Sequence, residues 1–251
     1  MTARVERICR YPVKGMSAEE LPEVTLTVGQ RMPEDRRFAI ARGSSEIDSS
    51  SPEWRSPESF VTLMRTEKLA QLRTRYDAET GQLTVLRGGK PVSTATITDP
   101  LGRVVIEQFL AAFLSGDVQR APKLVDAGAA LMTDVPEPYI SLINLASVRD
   151  LERVVGKPVD PLRFRGNVYL DGLEPWEEMQ WIGKTVTLGG ARLEVAEPIE
   201  RCAATTVNPE TAERDINIPK ELQRGYRHVN MGVYASVVES GRVAVGDAVE
   251  V

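Results

Sequence analysis

Arg4-Val5-Glu6-Arg7-Ile8-Cys9-Arg10-Tyr11 alternates charged and apolar residues at close to a two-residue period, the pattern of a half-buried strand, and Pro12 ends it by removing a ladder donor. Working outward, Glu23-Val24-Thr25-Leu26-Thr27-Val28 repeats the pattern before Gly29, and Arg37-Phe38-Ala39-Ile40-Ala41 gives a third run. Short strands at this spacing predict a small barrel or sandwich at the N-terminus. Leu72-Arg73-Thr74-Arg75-Tyr76 and Gln82-Leu83-Thr84-Val85-Leu86, joined across Asp77 to Gly81, read as a hairpin, and Gly88-Gly89-Lys90-Pro91 marks a break after it. Four more strands follow late in the chain: Thr185-Val186-Thr187-Leu188, Arg192-Leu193-Glu194-Val195, Tyr234-Ala235-Ser236-Val237-Val238 and Arg242-Val243-Ala244-Val245.

Helices are few. Val104, Val105, Gln108, Phe109, Ala112 and Phe113 recur at helical spacing after Asp99-Pro100, with Gly116 placed to stop the turn. A second helix spans Val148 to Val155, where Ser147 can cap the first amides, Asp150 sits in the first turn and Gly156 ends it. Ser44 to Pro57 is polar and reads as an exposed loop shaping access to a site, while Ser56 to Leu63 fits either a helix start or an extended segment. No internal repeat points to a solenoid or propeller. The expected architecture is mostly β with a few helices, as a β-barrel-like unit over residues 1–95 packed on a second β-barrel unit over 96–251.

With 251 residues the chain can bury a real core without staples. Its two cysteines form no CxxC and no Cys-His cluster, which argues against a disulfide scaffold, a zinc ribbon or an iron–sulfur centre built on these residues. Lys and Arg total 31 against 36 Asp and Glu, so the formal net charge of −5 offers no general attraction to nucleic acid or anionic membrane. No apolar run reaches a membrane span and the first residues carry no signal core, so a cytoplasmic location is expected.

Chemistry concentrates around Arg201-Cys202-Ala203-Ala204-Thr205-Thr206-Val207-Asn208-Pro209. A thiolate is a soft metal ligand favoured by a neighbouring guanidinium, and hydroxyl donors tune its basicity. The alternative is a buried, inert thiol beside a surface arginine. Arg163-Phe164-Arg165-Gly166-Asn167 would place both arginines on one face of an extended chain, and Asp35-Arg36-Arg37 with Lys14-Gly15 adds further cations able to form an anion pocket. Solvated surface arginines are the alternative there too. His228 is the only histidine, so a His-based triad or a two-histidine metal site is excluded, and a structural role fits it best. Trp176 and Trp181 suit either an opening or the core. The glycines form neither a dinucleotide fingerprint nor a Walker loop.

Taken in order, these residues resemble the MOSC family, the molybdenum cofactor sulfurase C-terminal domain, preceded by its N-terminal β-barrel domain. Tyr11-Pro12-Val13-Lys14-Gly15 resembles the opening motif of that N-terminal domain, and Asp35-Arg36-Arg37-Phe38 its Asp-Arg-aromatic segment. Arg163-Phe164-Arg165-Gly166-Asn167-Val168 is similar to the family's Phe-Arg-Pro-Asn segment, with glycine in place of proline. Arg201 to Thr211 closely matches the Arg-Cys-x-x-Thr-x-Val-Asp-Pro-x-Thr signature, with Asn208 for the usual aspartate; Gly232-Val233-Tyr234 and Val245-Gly246-Asp247 also fit.

The resemblance implies a molybdenum cofactor whose dithiolene supplies two sulfurs and whose remaining sulfur ligand is Cys202. It further implies that Arg165, Asn167, Arg36 and Lys14 hold the pterin or its phosphate. Thr205 would lie beside the metal-bound sulfur, and Asn144 and Ser147 near the phosphate at a helix start. The related enzymes reduce N-hydroxylated compounds such as amidoximes, which implies a small N-hydroxylated substrate and, as no cysteine cluster is present here, a separate flavin or iron–sulfur electron donor. A non-catalytic carrier of the cofactor or of its sulfur is the second functional expectation, and a metal-free scaffold is the third.

Overall fold

The structure is a computed structural model describing residues 3–42, 54–118, 120–128 and 132–251. Most of the expected loop from Ser44 to Pro57 therefore lies outside the described residues. The strands of the first half are β1 (Arg4–Arg10), β2 (Val13–Lys14), β3 (Glu19–Leu21), β4 (Glu23–Leu26), β5 (Phe38–Ala41), β6 (Leu72–Asp77), β7 (Gln82–Arg87), β8 (Lys90–Thr96) and β9 (Lys123–Asp126). Those of the second half are β10 (Ile140–Asn144), β11 (Val168–Asp171), β12 (Thr185–Leu188), β13 (Ala191–Glu200), β14 (Asn230–Glu239), β15 (Gly241–Ala244) and β16 (Val249–Glu250). Three α-helices join them among the described residues: α1 (Pro100–Phe113), α2 (Leu145–Val155) and α3 (Ile218–Tyr226). The expectation of a mostly β chain holds.

Eight strands form one curled sheet in the order β16-β12-β13-β14-β10-β11-β1-β3, antiparallel throughout except for the β10–β11 pair. Its ends approach each other: Val5 N donates to the Asp247 carbonyl at 2.8 Å, Gly246 N to Val5 at 2.8 Å and Val249 N to Ala3 at 3.0 Å. Curling in this way wraps a core of Ile8, Leu142, Leu170, Trp181, Leu193 and Val233. A register shift between Val5 and Arg7 explains why the opening alternation slips at Arg7. One extra residue there lets both Val5 and Ile8 face inward.

Thus β1 and β3, first in sequence, complete the sheet of the C-terminal half, and β4 pairs with β15. Only β2-β5-β9 and the meander β6-β7-β8 build the separate N-terminal β unit, covered by α1. Gly88 and Gly89, both at positive φ, form the tight turn into β8, so the break read there is a hairpin corner followed by a third strand.

Two helix readings change. The buried face of α1 is Ile106, Leu110 and Phe113, while Val104 and Val105 remain 42% and 47% exposed; an apolar stripe of ambiguous phase was settled by the sheet beneath. Asp99 Oδ1 caps this helix at the Leu101 amide. For α2 the cap is Asn144, whose Oδ1 accepts from Ala146 N at 2.9 Å, and the helix starts before Ser147; Gly156 in the left-handed region ends it. The expected strand runs in the second half all occur. Segment Pro57–Ser59 forms a single 3-10 turn capped by Ser56, and Phe60 then bridges to Ala41, so the segment combines a turn with an extended bridge. α3, absent from the sequence reading, is short but amphipathic, burying Ile218 and Leu222 four residues apart behind an Asn217 cap with Pro219 in its first turn.

Candidate functional site

The cations enter one cleft from both halves of the fold. Lys14 closes β2, and Gly15 after it adopts φ 85°, where a Cβ would stand 3.0 Å from the Val61 carbonyl oxygen. Asp35 fixes the next turn by accepting from Tyr11 N at 2.7 Å and pairing with Arg36 Nη1 at 2.5 Å. Arg36 Nη2 then donates to the Arg165 carbonyl at 3.0 Å, linking the two halves. The guanidinium carbons of Arg36 and Arg165 lie 4.5 and 4.3 Å from the same Tyr11 ring, whose π cloud offsets part of the repulsion between them.

Arg163 and Arg165 do not share one face of an extended chain. Pro161–Phe164 is a 3-10 turn, and Arg165 leaves it in the left-handed region at φ 51°. The turn sends Arg163 down to Asp215 at 2.6 Å and Arg165 up to the Met16 carbonyl at 2.7 Å. Arg165 Nη2 is occluded from water and has no hydrogen-bond partner among the described residues. Gly166, where the resembling motif has proline, would drive a Cβ to 2.3 Å from Ile143 Cγ1, and its amide donates to Tyr169 Oη at 3.0 Å. Proline would lose that donor and clash, so this chain holds the turn by other means.

Around Cys202 burial is the reverse of the inert alternative: the thiol is exposed and Arg201 is half-buried. Arg201 Nη1 donates to the Phe164 carbonyl at 2.8 Å and Nε to that of Met231 at 2.8 Å, so its guanidinium ties β14 to the Arg165 turn. Burial lowers its pKa, though an arginine stays charged. Cys202 is extended and precedes the 3-10 turn Ala203–Thr206. Thr205 Oγ1 donates to the Cys202 carbonyl at 2.8 Å and so stiffens the turn rather than reaching the sulfur.

The resulting cleft encloses about 360 Å³, the size class of small-molecule sites. Cys202, Thr205, Lys14, Arg36, Arg165 and Arg201 all line it. Asp134, Glu58 and Glu200, which the sequence did not single out, line it as well, and so does Tyr234 of the closing Gly232-Val233-Tyr234 segment. Lys14 is buried, and its Nζ donates to the Met132 carbonyl at 2.8 Å and to Asp134 at 2.6 Å. Burial lowers the Lys14 pKa against the pull of Asp134. Desolvation would raise that of Asp134, but Lys14 and Arg36 hold it well below the usual carboxylate range. The Asp134 side chain is 58% exposed at the mouth, so solvent screens this pair. Burial pushes the Tyr234 phenol up to about 12. Such partners come from distant strands and loops, and only the need of a buried lysine for a counter-charge could have hinted at one of them.

Three other expected residues are engaged elsewhere. Asn144 and Ser147 do not line the cleft. Asn144 Nδ2 donates to Glu178 at 2.8 Å and to the Glu174 carbonyl at 2.8 Å, while Ser147 Oγ donates to Glu178 at 2.8 Å and accepts from Trp176 N. Glu178, fully buried, occupies the α2 N-terminus that an anion was expected to use. Asn167 lines a smaller pocket beside the cleft, with Oδ1 accepting from Ser141 N and Oγ and Nδ2 donating to the Cys9 carbonyl. His228 packs edge-on to Trp176 and stacked with Tyr226, Trp181 is in the core, and burial lowers the histidine pKa. Among the described residues no group of three or more His, Cys, Asp or Glu gathers as a metal site. A metal at Cys202 would take its other ligands from a bound group. No helix among the described residues is long and apolar enough to cross a membrane.

Comparison with known proteins places this geometry in context. The model of the MOSC N-terminal beta barrel domain matches residues 2–134, and that of the MOSC domain matches residues 132–250. Mitochondrial amidoxime reducing component 2 of Rattus norvegicus is 32% identical over 122 residues, covering 44% of this chain and 36% of that protein. Molybdenum cofactor sulfurase of Drosophila persimilis is 32% identical over 128 residues, covering 47% of this chain and 15% of that protein. The matches thus span only part of each relative's length. Among solved structures, the YuaD protein of Bacillus subtilis covers 99% of this chain and 94% of its own at 13% identity and TM-score 0.45. YiiM of Geobacillus stearothermophilus covers 44% of this chain and 52% of its own at 22% identity and TM-score 0.35.

Proposed function

This chain belongs to the MOSC domain family, with the family's N-terminal β-barrel domain, and from that premise we propose that it binds a molybdenum cofactor and reduces N-hydroxylated compounds at Cys202. The observation that carries the reading is the pairing, in one cleft, of an exposed lone thiol with Arg165, whose occluded Nη2 lacks a partner. The donor set fits the group: one soft sulfur for the metal, cations for a phosphate, and a cavity of suitable size. When bound, the cofactor supplies the two-electron redox chemistry that N–O reduction needs.

The protein residues bind and orient. Cys202 presents its sulfur from a turn stiffened by Thr205. Arg165, Arg36 and Lys14 hold the phosphate and pterin, and the ligand offers Arg165 Nη2 an acceptor. Arg201, fixed to the Phe164 and Met231 carbonyls, keeps the thiol-bearing turn level with the Arg165 turn. Tyr234 Oη keeps its proton through the neutral range and offers a donor inside the cleft. Electrons come from a separate flavin or iron–sulfur protein. The amidoxime reducing relative supports the reductase reading; the sulfurase relative supports a cofactor or sulfur carrier as the second reading.

Protein expressed in a host that makes the cofactor should hold about one molybdenum per chain, and Cys202→Ser should lose more than about tenfold of it. Metal retained by that variant would remove the assigned ligand. Loaded protein should reduce an amidoxime with an artificial electron donor; full loading with no turnover across a broad substrate set would replace the reductase reading with the carrier.

A further inference from the structure

Asn208 begins a tight return of the chain: its backbone amide donates to the Glu213 carbonyl at 2.8 Å, Ala212 turns in the left-handed region at φ 61°, and Val207 bridges to Arg214. The return swings the Arg214 guanidinium under the thiol-bearing turn. Nη1 donates to the Ala203 carbonyl at 3.0 Å and to Thr206 Oγ1 at 2.7 Å. Nη2 donates across to the N-terminal unit, to the Leu63 carbonyl at 2.8 Å and that of Met64 at 3.1 Å. Leu63 and Met64 line the cleft together with Cys202. A single planar side chain therefore spans two stretches of backbone that border one cavity.

From this geometry we infer that Arg214 is a positioning residue, setting the place of the Cys202 sulfur by fastening its turn to the Leu63–Met64 wall. The inference deepens the function proposed above and rests on it only for the metal readout. Three observations favour a positioning role over surface decoration. Four of its acceptors belong to two chain segments about 140 residues apart in sequence, |i−j| being 11 and 8 on one side and 151 and 150 on the other. The same turn is anchored independently by Val207, buried in the core of the N-terminal unit, and by Arg163, whose Nη1 donates to the Thr206 carbonyl at 3.1 Å. Finally, the salt bridge to Glu67 at 3.1 Å is exposed on both sides and contributes little, so the backbone contacts are what the side chain is held for. Lysine, a point charge with a different donor geometry, cannot reproduce the fork.

The test uses the whole chain. In metal-free protein, amide exchange of the 203–207 turn should speed up about tenfold in Arg214→Ala, while exchange in β14 stays unchanged. Arg214→Lys should recover the thermal midpoint but not the turn protection. In loaded protein, Arg214→Ala should keep its molybdenum but show an altered paramagnetic resonance signal, with kcat down about tenfold or more and KM changed less. Unchanged exchange in the turn, a uniform rise across the chain, or full recovery of turn and signal by lysine would each overturn the inference. If the wild type binds no molybdenum, the cofactor reading fails, yet the exchange arm still decides whether Arg214 orders the turn.

Discussion

Two polar clusters in this molecule use similar materials to opposite ends. Around Glu178, Asn144 and Ser147 direct their donors at its carboxylate and at the Glu174 carbonyl, Asn144 Oδ1 accepts from the Ala146 amide at the helix start, and Glu178 itself is fully buried. Around Cys202, the cleft carries Lys14, Arg36, Arg163, Arg165 and Arg201, of which Lys14, Arg36 and Arg163 pair with Asp134, Asp35 and Asp215, and Arg165 Nη2 has no acceptor among the described residues. The first cluster is complete without a ligand. The second leaves Arg165 and Arg201, among the described residues, with no carboxylate paired to them beside an exposed thiol, and an anionic ligand with a soft metal would complete it.

Opposed substitutions should separate the clusters most widely. Where Cys202→Ser empties the metal site, Glu178→Ala should leave molybdenum content unchanged and cost about 2–4 kcal/mol of stability, since it strands the Ser147 hydroxyl and one Asn144 donor. Chemical denaturation and metal analysis on the same samples read both. A folded Glu178→Ala protein that had lost its metal would break the contrast and return the α2 N-terminus to the site.

The pH dependence sharpens it further. Burial raises the Glu178 pKa above its ordinary value of 4.5 despite the bonds from Asn144 and Ser147. A raised folded pKa favours the protonated form in the native state, so this contribution is full below 4.5 and is lost as pH rises through the folded value. Thermal midpoints measured across that window should fall relative to Glu178→Gln, which lacks the titration; parallel curves would refute the assignment.

The smallest effect concerns the Cys202 neighbourhood. Asn208 departs from the aspartate of the resembling signature, and its Nδ2 donates to Asp215 Oδ2 at 3.0 Å while Asp215 also pairs with Arg163. Aspartate at 208 would set two carboxylates face to face. Asn208→Asp should cost about 1 kcal/mol at neutral pH and less in acid, measured by thermal unfolding. A pH-independent penalty would point to geometry instead of charge.

Much of this was legible before any coordinates. The β6–β7 hairpin follows from alternation flanking Asp77 to Gly81, and the ends of α1 and α2 from Asp99 and Gly156. Lys14, Arg36, Arg165 and Cys202 meet in the cleft where the ordered motifs had grouped them. Less visible were Asp134, which carries no local pattern, the place of the Tyr234 ring in the cleft, and the engagement of Asn144 and Ser147 with Glu178, thirty-odd residues away at |i−j| 34 and 31. Side-chain types announce what a residue can bond, while the partner it takes depends on which segments the core brings together.

Local periodicity, caps and turn residues, together with a lone thiol set among arginines, were written into the chain itself, because each depends on neighbours within a few positions. The tertiary structure alone decided that β1 and β3 belong to the C-terminal sheet, that Arg201 is half-buried while Cys202 is exposed, and that Arg214 crosses to Leu63. Those outcomes turn on pairing and burial between residues far apart in sequence, where the exclusion of water and the need to satisfy every enclosed donor select one arrangement among many that local pattern allows.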